Sequence, residues 1–340
     1  MNIRYSLVLG LASAALMAVS PTPALAKKKV RIKLGTLAPK DSSWLKSIER
    51  MGRRWKEASN GSVQLKVYPG GVAGDEGDVI RKMRIGQLHA ATLTGIGLGS
   101  IDRSTIAFQI PMMFRSYAEV DYVRERIGPK VAKSLEDKGF VVLAFGDGGW
   151  VHFFSKKPAL VPAELQKQKL YVVTGDPQAD AAWRTSGFEI VPTSATDVLQ
   201  GLQTGRLDAF ATVPLYALAG QWFGMVEHMT KIYWAPLSGA TVVYRDAWEK
   251  IDPELRETLT QIAVEETEAS RAEIRGLGDK ALKAMTDRGL KIHEPTPEQR
   301  QLWVDAARKA YPLIRGKVVP EAYFAEIESL LAEFRAKQEK

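Results

Sequence analysis

Residues Phe188–Pro214 read FEIVPTSATDVLQGLQTGRLDAFATVP. The order is strand, cap, helix, glycine stop, strand. Phe188–Val191 is a short apolar run. Ser194, Thr196 and Asp197 are N-cap types, whose side-chain oxygens accept from the free amides of a helix's first turn. Val198, Leu199 and Leu202 share one helical face by their spacing. Gly205 suits the left-handed conformation that ends a helix. Leu207–Val213 is apolar enough for a buried strand.

A second copy lies upstream. Val79–Thr94 is VIRKMRIGQLHAATLT, against VLQGLQTGRLDAFATV at Val198–Val213. Val79/Val198, Ile80/Leu199, Met83/Leu202, Gly86/Gly205, Leu88/Leu207 and Ala90/Ala209 fall in register. The preceding strands, Val63–Tyr68 and Phe188–Val191, match in kind. Two similar α/β lobes are expected, and the space between the carboxyl ends of their strands is the default ligand site.

The chain has 340 residues, 25% charged and 45% apolar, as in an ordinary globular protein of about two domains. It has no cysteine, which excludes disulfides, thiolate metal sites, a catalytic cysteine and a lipidated N-terminal cysteine. Met1–Ala26 reads as a secretory signal: Arg4 supplies the charge, Leu7–Val19 is too short to span a bilayer, and Ala24-Leu25-Ala26 is an A-x-A site. The mature chain is expected to begin at Lys27, after cleavage following Ala26, and to be soluble in the periplasm. No later segment is a long uncharged apolar run, so the chain is not expected to be membrane-embedded. The net charge of +8 is spread among acids except at Lys27–Lys33. An exported chain of that kind is not expected to bind nucleic acid; a solvated surface explains the charge, and its sign favours an anionic partner at most.

Val30–Thr36 alternates as a first strand. Asp41, Ser42 or Ser43 caps a helix at Trp44–Ser59, ended by Asn60-Gly61. Pro69–Gly74 lacks the pattern of a phosphate loop. Helices are expected at Tyr117–Ile127 and Pro129–Lys138, and a strand at Phe140–Gly146. Gly148-Gly149 reads as a hinge before Val151–Ser155, because glycine absorbs large backbone changes. Further strands are expected at Leu170–Thr174, Lys231–Trp234, Thr241–Tyr244 and Lys291–His293, with helices at Gln178–Ser186, Thr296–Tyr311 and Glu321–Lys337. The helical pattern from Asp252-Pro253 to about Met285 is unusually long, and Gly276 and Gly278 are expected to kink or divide it.

These segments together resemble the extracytoplasmic solute-binding proteins of tripartite ATP-independent periplasmic (TRAP) transporters, the DctP-like family. VRIKLGT, VYPGGVAGDEGDVIRKMRIGQLHAA, IPMMFRSYAEV, SKKPALVPAELQKQKLYVV, VPTSATDVLQGLQTGRLDAF and WEKIDPELRETL carry the likeness in order and spacing. The resemblance implies an α/β, two-lobe periplasmic-binding-protein-like fold with hinge strands and a long helix spanning both lobes. It assigns 27–149 to lobe I, with 238–275 returning to it, and 150–237 to lobe II, with 276–340 packing on it. It implies a small-molecule ligand held in the cleft, TRAP permease subunits as membrane partners, and neither enzymatic activity nor a cofactor.

Two arginines usual in the family are missing. The strand that usually carries a carboxylate-clamping Arg is Lys169–Val173, with Tyr171 at that position, and the strand after the hinge, within Gly148–Ser155, has none. Thr94 stands where some members carry an acid, and Asp208–Thr212 replaces a polar tail. Burying a carboxylate without a partner costs roughly several kcal/mol. A neutral, apolar or amphipathic ligand is therefore expected. The alternative is a carboxylate held by another cation, with Lys40, His152 or Arg184 as candidates.

Tyr171 is the leading site residue. Trp150 and His152 share one side of their strand, Val151 and Phe153 the other, and the first pair is expected to face the cleft. Thr94, Phe210, Thr212, Trp44, Thr174 and Tyr216 complete the ligand-binding set. The four histidines are dispersed, no catalytic motif appears, and no metal site is expected. The acid pairs Asp75/Glu76 and Glu265/Glu266 are expected on solvated helix faces. A secreted α/β enzyme is the competing class, and a ligand-free envelope protein a third.

Overall fold

The structure, a computed structural model, describes residues 29–338. The expected leader Met1–Ala26 lies outside them. Strands run in chain order as β1 (Val30–Thr36), β2 (Val63–Tyr68), β3 (Ala90–Thr94), β4 (Phe140–Trp150), β5 (His152–Ser155), β6 (Leu170–Val173), β7 (Ile190–Thr193), β8 (Ala209–Thr212), β9 (His228–Thr230), β10 (Pro236–Tyr244) and β11 (Lys291–His293). The helices are α1 (Ser43–Ala58), α2 (Glu76–Arg84), α3 (Gly95–Gly99), α4 (Tyr117–Asp137), α5 (Pro162–Leu165), α6 (Pro177–Thr185), α7 (Val198–Gln203), α8 (Pro214–Ala219), α9 (Arg245–Trp248), α10 (Pro253–Thr286), α11 (Pro297–Leu313) and α12 (Glu321–Gln338).

Two sheets form two lobes. One has the order β2-β1-β3-β10-β4 and the other β11-β9-β5-β8-β6-β7. The two copies of the repeat land in equivalent places. β3 lies parallel to β1 in the first sheet, and β8 parallel to β6 in the second. Gly86 and Gly205 both have φ of +72°, so each helix stops on a residue in the left-handed region. Leu88 and Leu207, the residues that follow each turn, are both buried.

β4 and β10 connect the lobes as an antiparallel pair, from Phe140 opposite Tyr244 to Trp150 opposite Pro236. The expected break at Gly148-Gly149 is not a gap between strands. β4 continues through both glycines, Gly149 has φ of +111°, and the register with β10 slips between Leu237 and Ser238. A bulge of this kind bends a strand without ending it. The return crossing expected at Thr241–Tyr244 is longer than expected and begins at Pro236.

Three other expectations need correction. α4 is one helix through Pro129, because Val120, Val123, Ile127, Val131 and Leu135 keep one buried face across the proline. That packing outweighs the one lost backbone hydrogen bond. α10 runs 34 residues without division. Gly276 and Gly278 face open space, so nothing packs there to bend the helix. Lys231–Trp234 is not a strand: the chain leaves β9 at Thr230, and the Trp234 amide donates to the Val151 carbonyl at 3.0 Å.

α10 ties the lobes together. Leu259, Ile262 and Ala263 join the core of the first lobe, with Trp55, Ile48 and Trp248. Leu282 and Met285 join the core of the second, with Phe154, Phe210 and Trp222. α11 packs on α6 and buries Trp303 against Phe153, with centroids 4.9 Å apart. α12 returns to α4 in the first lobe, where Arg335 pairs with the buried Glu119 at 2.7 Å.

Candidate functional site

Two cavities lie at the carboxyl ends of the strands, where the lobes meet. The smaller, about 130 Å³, is lined by Thr36 of β1, Thr94 of β3, Trp44 and Ser47 of α1, Glu76, Ser238 and Arg271, with Tyr216 reaching in from the second lobe. The larger, about 220 Å³, is bounded by Ile96, Ile106 and Gln109 from the first lobe and by Val151, Tyr171, Val173 and Thr212 from the second, with Trp183, Trp234 and Val319 behind. Leu237 of β10 lines both.

The smaller cavity is organised by Glu76. Asp75 caps α2 through the Asp78 amide, which points Glu76 in the first turn inward rather than outward. One Glu76 carboxylate oxygen accepts the Thr94 amide at 2.5 Å, and the other accepts the Thr94 hydroxyl at 2.7 Å. Thr94 in turn caps α3 through the Gly97 amide. Burial pushes Glu76 up to about 7, against the hydrogen bonds from Thr94 and Gly97, and the neighbouring Asp75 adds to the rise. Glu76 is 8% exposed, so the solvated face expected for it is corrected: an acid in the first turn after β2 points into the cleft. Glu266 is also buried, paired with Arg50 and Arg54.

Arg271 forms the far wall. Its Nη2 donates to the Phe145 carbonyl at 2.9 Å, and its Nε has no hydrogen-bond partner among the described residues. Burial lowers its pKa, and the nearby Arg124 lowers it further. Behind it, Asp147 accepts from Arg275 Nε at 2.9 Å and from Arg124. The Ser238 hydroxyl is likewise buried and unpartnered.

The larger cavity has a different character. Its ionisable lining residues are Tyr171, Asp176 and Asp180, with no Lys, Arg or His. Asp176 is bound by Arg103 at 2.8 and 3.1 Å; burial works to raise its pKa, and that pair holds it below the usual carboxylate range. Asp180 has one buried oxygen without a hydrogen-bond partner among the described residues, and burial raises its pKa. Tyr171 is buried, and its pKa is raised first by burial and then by Tyr216, Glu76 and Asp75. An aromatic wall joins the cavities: Trp44 lies 6.4 Å from Tyr216, Tyr216 lies 5.1 Å from Trp222, and Trp222 lies 6.0 Å from Tyr171.

The structure therefore divides the residues singled out in the sequence. Trp44, Thr94 and Tyr216 line the smaller cavity, and Tyr171 and Thr212 the larger. Trp150 lines neither; it packs between Tyr117 and Tyr233, at 5.5 and 5.2 Å. His152 also lines neither: it is buried beside Tyr233, its Nδ1 has no hydrogen-bond partner among the described residues, and burial pushes its pKa down to about 3. Val151, on the opposite side of the chain, reaches the larger cavity. Phe210 is wholly buried and stacked on Phe154 at 5.0 Å. Thr174 continues the pairing of β6, its amide donating to the Thr193 carbonyl. Glu76, Ser238, Arg271 and Asp180 were not among the expected site residues. Position after a strand's carboxyl end was a usable signal for Glu76; the others are placed by β10, α10 and α6.

The lobes meet across this site. Besides Arg103 with Asp176, the Ser194 hydroxyl donates to Asp75 at 2.9 Å. Two lobes closing over cavities at their strand ends, on two hinge strands, define a solute-binding protein. A sequence model of the DctP family, described as "Bacterial extracellular solute-binding protein, family 7", matches residues 34–316. The chain belongs to that family, and is an extracytoplasmic solute-binding protein of the TRAP type. It is 25% identical over 316 residues to the C4-dicarboxylate-binding periplasmic protein DctP of Rhodobacter capsulatus, covering 92% of this chain and 93% of that one. Crystal structures of TRAP periplasmic solute-binding proteins share the fold. One from Sulfurospirillum deleyianum, with bound succinate, superposes with a TM-score of 0.83 at 22% identity, covering 89% of this chain and 99% of that one. One from Citrobacter koseri, with bound D-glucuronate, gives 0.80 at 22% identity, covering 88% and 98%. No helix among the described residues is long and apolar enough to cross a membrane.

Proposed function

We propose that this protein captures a neutral, apolar or amphipathic solute between its lobes and delivers it unchanged to a TRAP permease in the membrane. The observation that carries this reading is the larger cavity, whose lining offers two aspartates and no cation. A ligand carboxylate placed there would lose its hydration without gaining a counter-charge, and Asp180 would repel it. Tyr171 supplies an apolar ring and a hydroxyl where an arginine was expected. The chain acts in the periplasm after removal of Met1–Ala26, and it binds without turnover. On this reading 27–149 with 238–275 make one lobe and 150–237 the other, with the chain from 276 packing on the second lobe before α12 returns to the first.

A second reading rests on Arg271. Its guanidinium lines the smaller cavity, with Nε making no hydrogen bond among the described residues and lying 3.8 Å from Asp147, which favours a small carboxylate there. The organic acids in the relatives' binding sites suit that alternative. Calorimetric titration of the mature protein with succinate, D-glucuronate and a series of 1-alkanols separates the two. Alkanol binding that tightens with chain length supports the neutral cleft. Micromolar succinate binding with no alkanol binding overturns it.

A further inference from the structure

The smaller cavity is built for something other than an alkyl chain. Glu76 offers carboxylate lone pairs beyond those used by Thr94. The Ser238 hydroxyl, buried in a residue that lines the same cavity, has no hydrogen-bond partner among the described residues, and Arg271 Nε makes no hydrogen bond but faces Asp147 at 3.8 Å. A carboxylate and an unpaired hydroxyl thus share a small space, with the Arg271 guanidinium at its wall. Buried polar groups are ordinarily satisfied, so this set is incomplete without an occupant. The larger cavity, by contrast, is mostly apolar. Leu237 belongs to both cavities, and the wall Trp44–Tyr216–Trp222–Tyr171 runs from one to the other.

We infer that the two cavities are one divided site, the larger holding the apolar body of the solute and the smaller its hydroxyl head, so that the solute class is a neutral long-chain or polycyclic alcohol. This rests on the neutral-cleft reading above. A hydroxyl both donates and accepts, and so satisfies Glu76 together with Ser238 or Arg271. A carboxylate head would be held by Arg271 but repelled by Glu76 whenever Glu76 is ionised, and it could not donate to it. An alkylammonium head would suit Glu76 and could donate to the Ser238 oxygen, but it would meet the like charge of Arg271. The head therefore sets specificity, and the tail sets affinity.

The experiment is calorimetric titration of the mature wild-type protein, Glu76→Gln and Ser238→Ala with 1-octanol, 1-hexanol, octanoate and succinate. In the wild type, octanol should bind at least tenfold more tightly than octanoate. Each methylene should add about fourfold between hexanol and octanol. Glu76→Gln should weaken octanol roughly fivefold to tenfold and strengthen octanoate, narrowing or reversing the ratio. Ser238→Ala should weaken octanol about threefold to tenfold and leave the chain-length increment unchanged. A general loss of packing would weaken both ligands together and would not move their ratio. An unchanged octanol-to-octanoate ratio in Glu76→Gln overturns the head compartment while leaving the apolar cleft standing. Failure of both alkanols to bind, with or without succinate binding, overturns the cleft reading itself.

Discussion

Arg103 grips Asp176 across the cleft by two parallel hydrogen bonds, of 3.1 and 2.8 Å. Arg103 lies in the short turn Arg103–Gln109 of the first lobe, and Asp176 caps α6 in the second. The pair joins one lobe to the other, so it is expected to add to the affinity for any solute that closes them. Arg103→Ala is expected to weaken binding roughly threefold to tenfold, since the pair is partly exposed and screened. Arg103→Lys should fall between, having charge without the fork. Small-angle scattering of the ligand-bound protein should show a larger radius of gyration in Arg103→Ala. Asp176 is better changed to Asn than Ala, because its side chain also accepts from the Gln178 and Ala179 amides.

Asp147 is the electrostatic centre of the hinge. It binds Arg124 and Arg275, with Arg271 3.8 Å away, and its side chain is 4% exposed. Asp147→Ala leaves three arginines without that counter-charge. Stability is expected to fall by about 3–5 kcal/mol, measured as a lower urea midpoint.

Glu76 and His152 make stability depend on pH in opposite directions. The folded state holds Glu76 near 7, above its unfolded value, so it keeps a proton that the unfolded chain loses. Its contribution to stability is full below about 4.5 and is lost as pH rises through 7, by on the order of 3 kcal/mol. Glu76→Gln should therefore gain on the wild type in melting temperature as the pH is raised from 5 to 8. Burial holds His152 near 3, below its unfolded value. The folded state cannot accept the proton that the unfolded chain takes up, so stability falls as pH drops below about 6.5. His152→Phe should lose that acid-side slope in the same melting series.

Tyr171 is expected to contribute its ring more than its hydroxyl. Tyr171→Phe should alter binding of an apolar alcohol by no more than about threefold. Tyr171→Arg would bury a cation near Trp222 and Leu237, and it should weaken the same alcohol at least tenfold. Titration of both variants tests whether the position now serves an apolar wall.

Much of the fold was legible because its signals are local. Gly86 and Gly205 announced equivalent turns, and Ser42, one of the three expected caps, caps α1. Pro129, Gly276 and Gly278 misled because a propensity acts on one turn, whereas a buried stripe or an open flank is decided by distant residues. The site was only partly legible. Period two correctly set Val151 opposite Trp150 and His152, but it carries no information about which side meets the cleft. Tyr233 settles that by packing on Trp150 and His152. Ser238 and Arg271 enter the site because β10 and α10 cross back from the far end of the chain, a placement that no local pattern records.

The most direct test is native mass spectrometry of the mature protein as purified from its own periplasm, followed by denaturing extraction of whatever it carries. A neutral amphiphile bearing a hydroxyl group is the predicted finding. A small organic acid, recovered in one-to-one ratio, would contradict the account and move the ligand to Arg271.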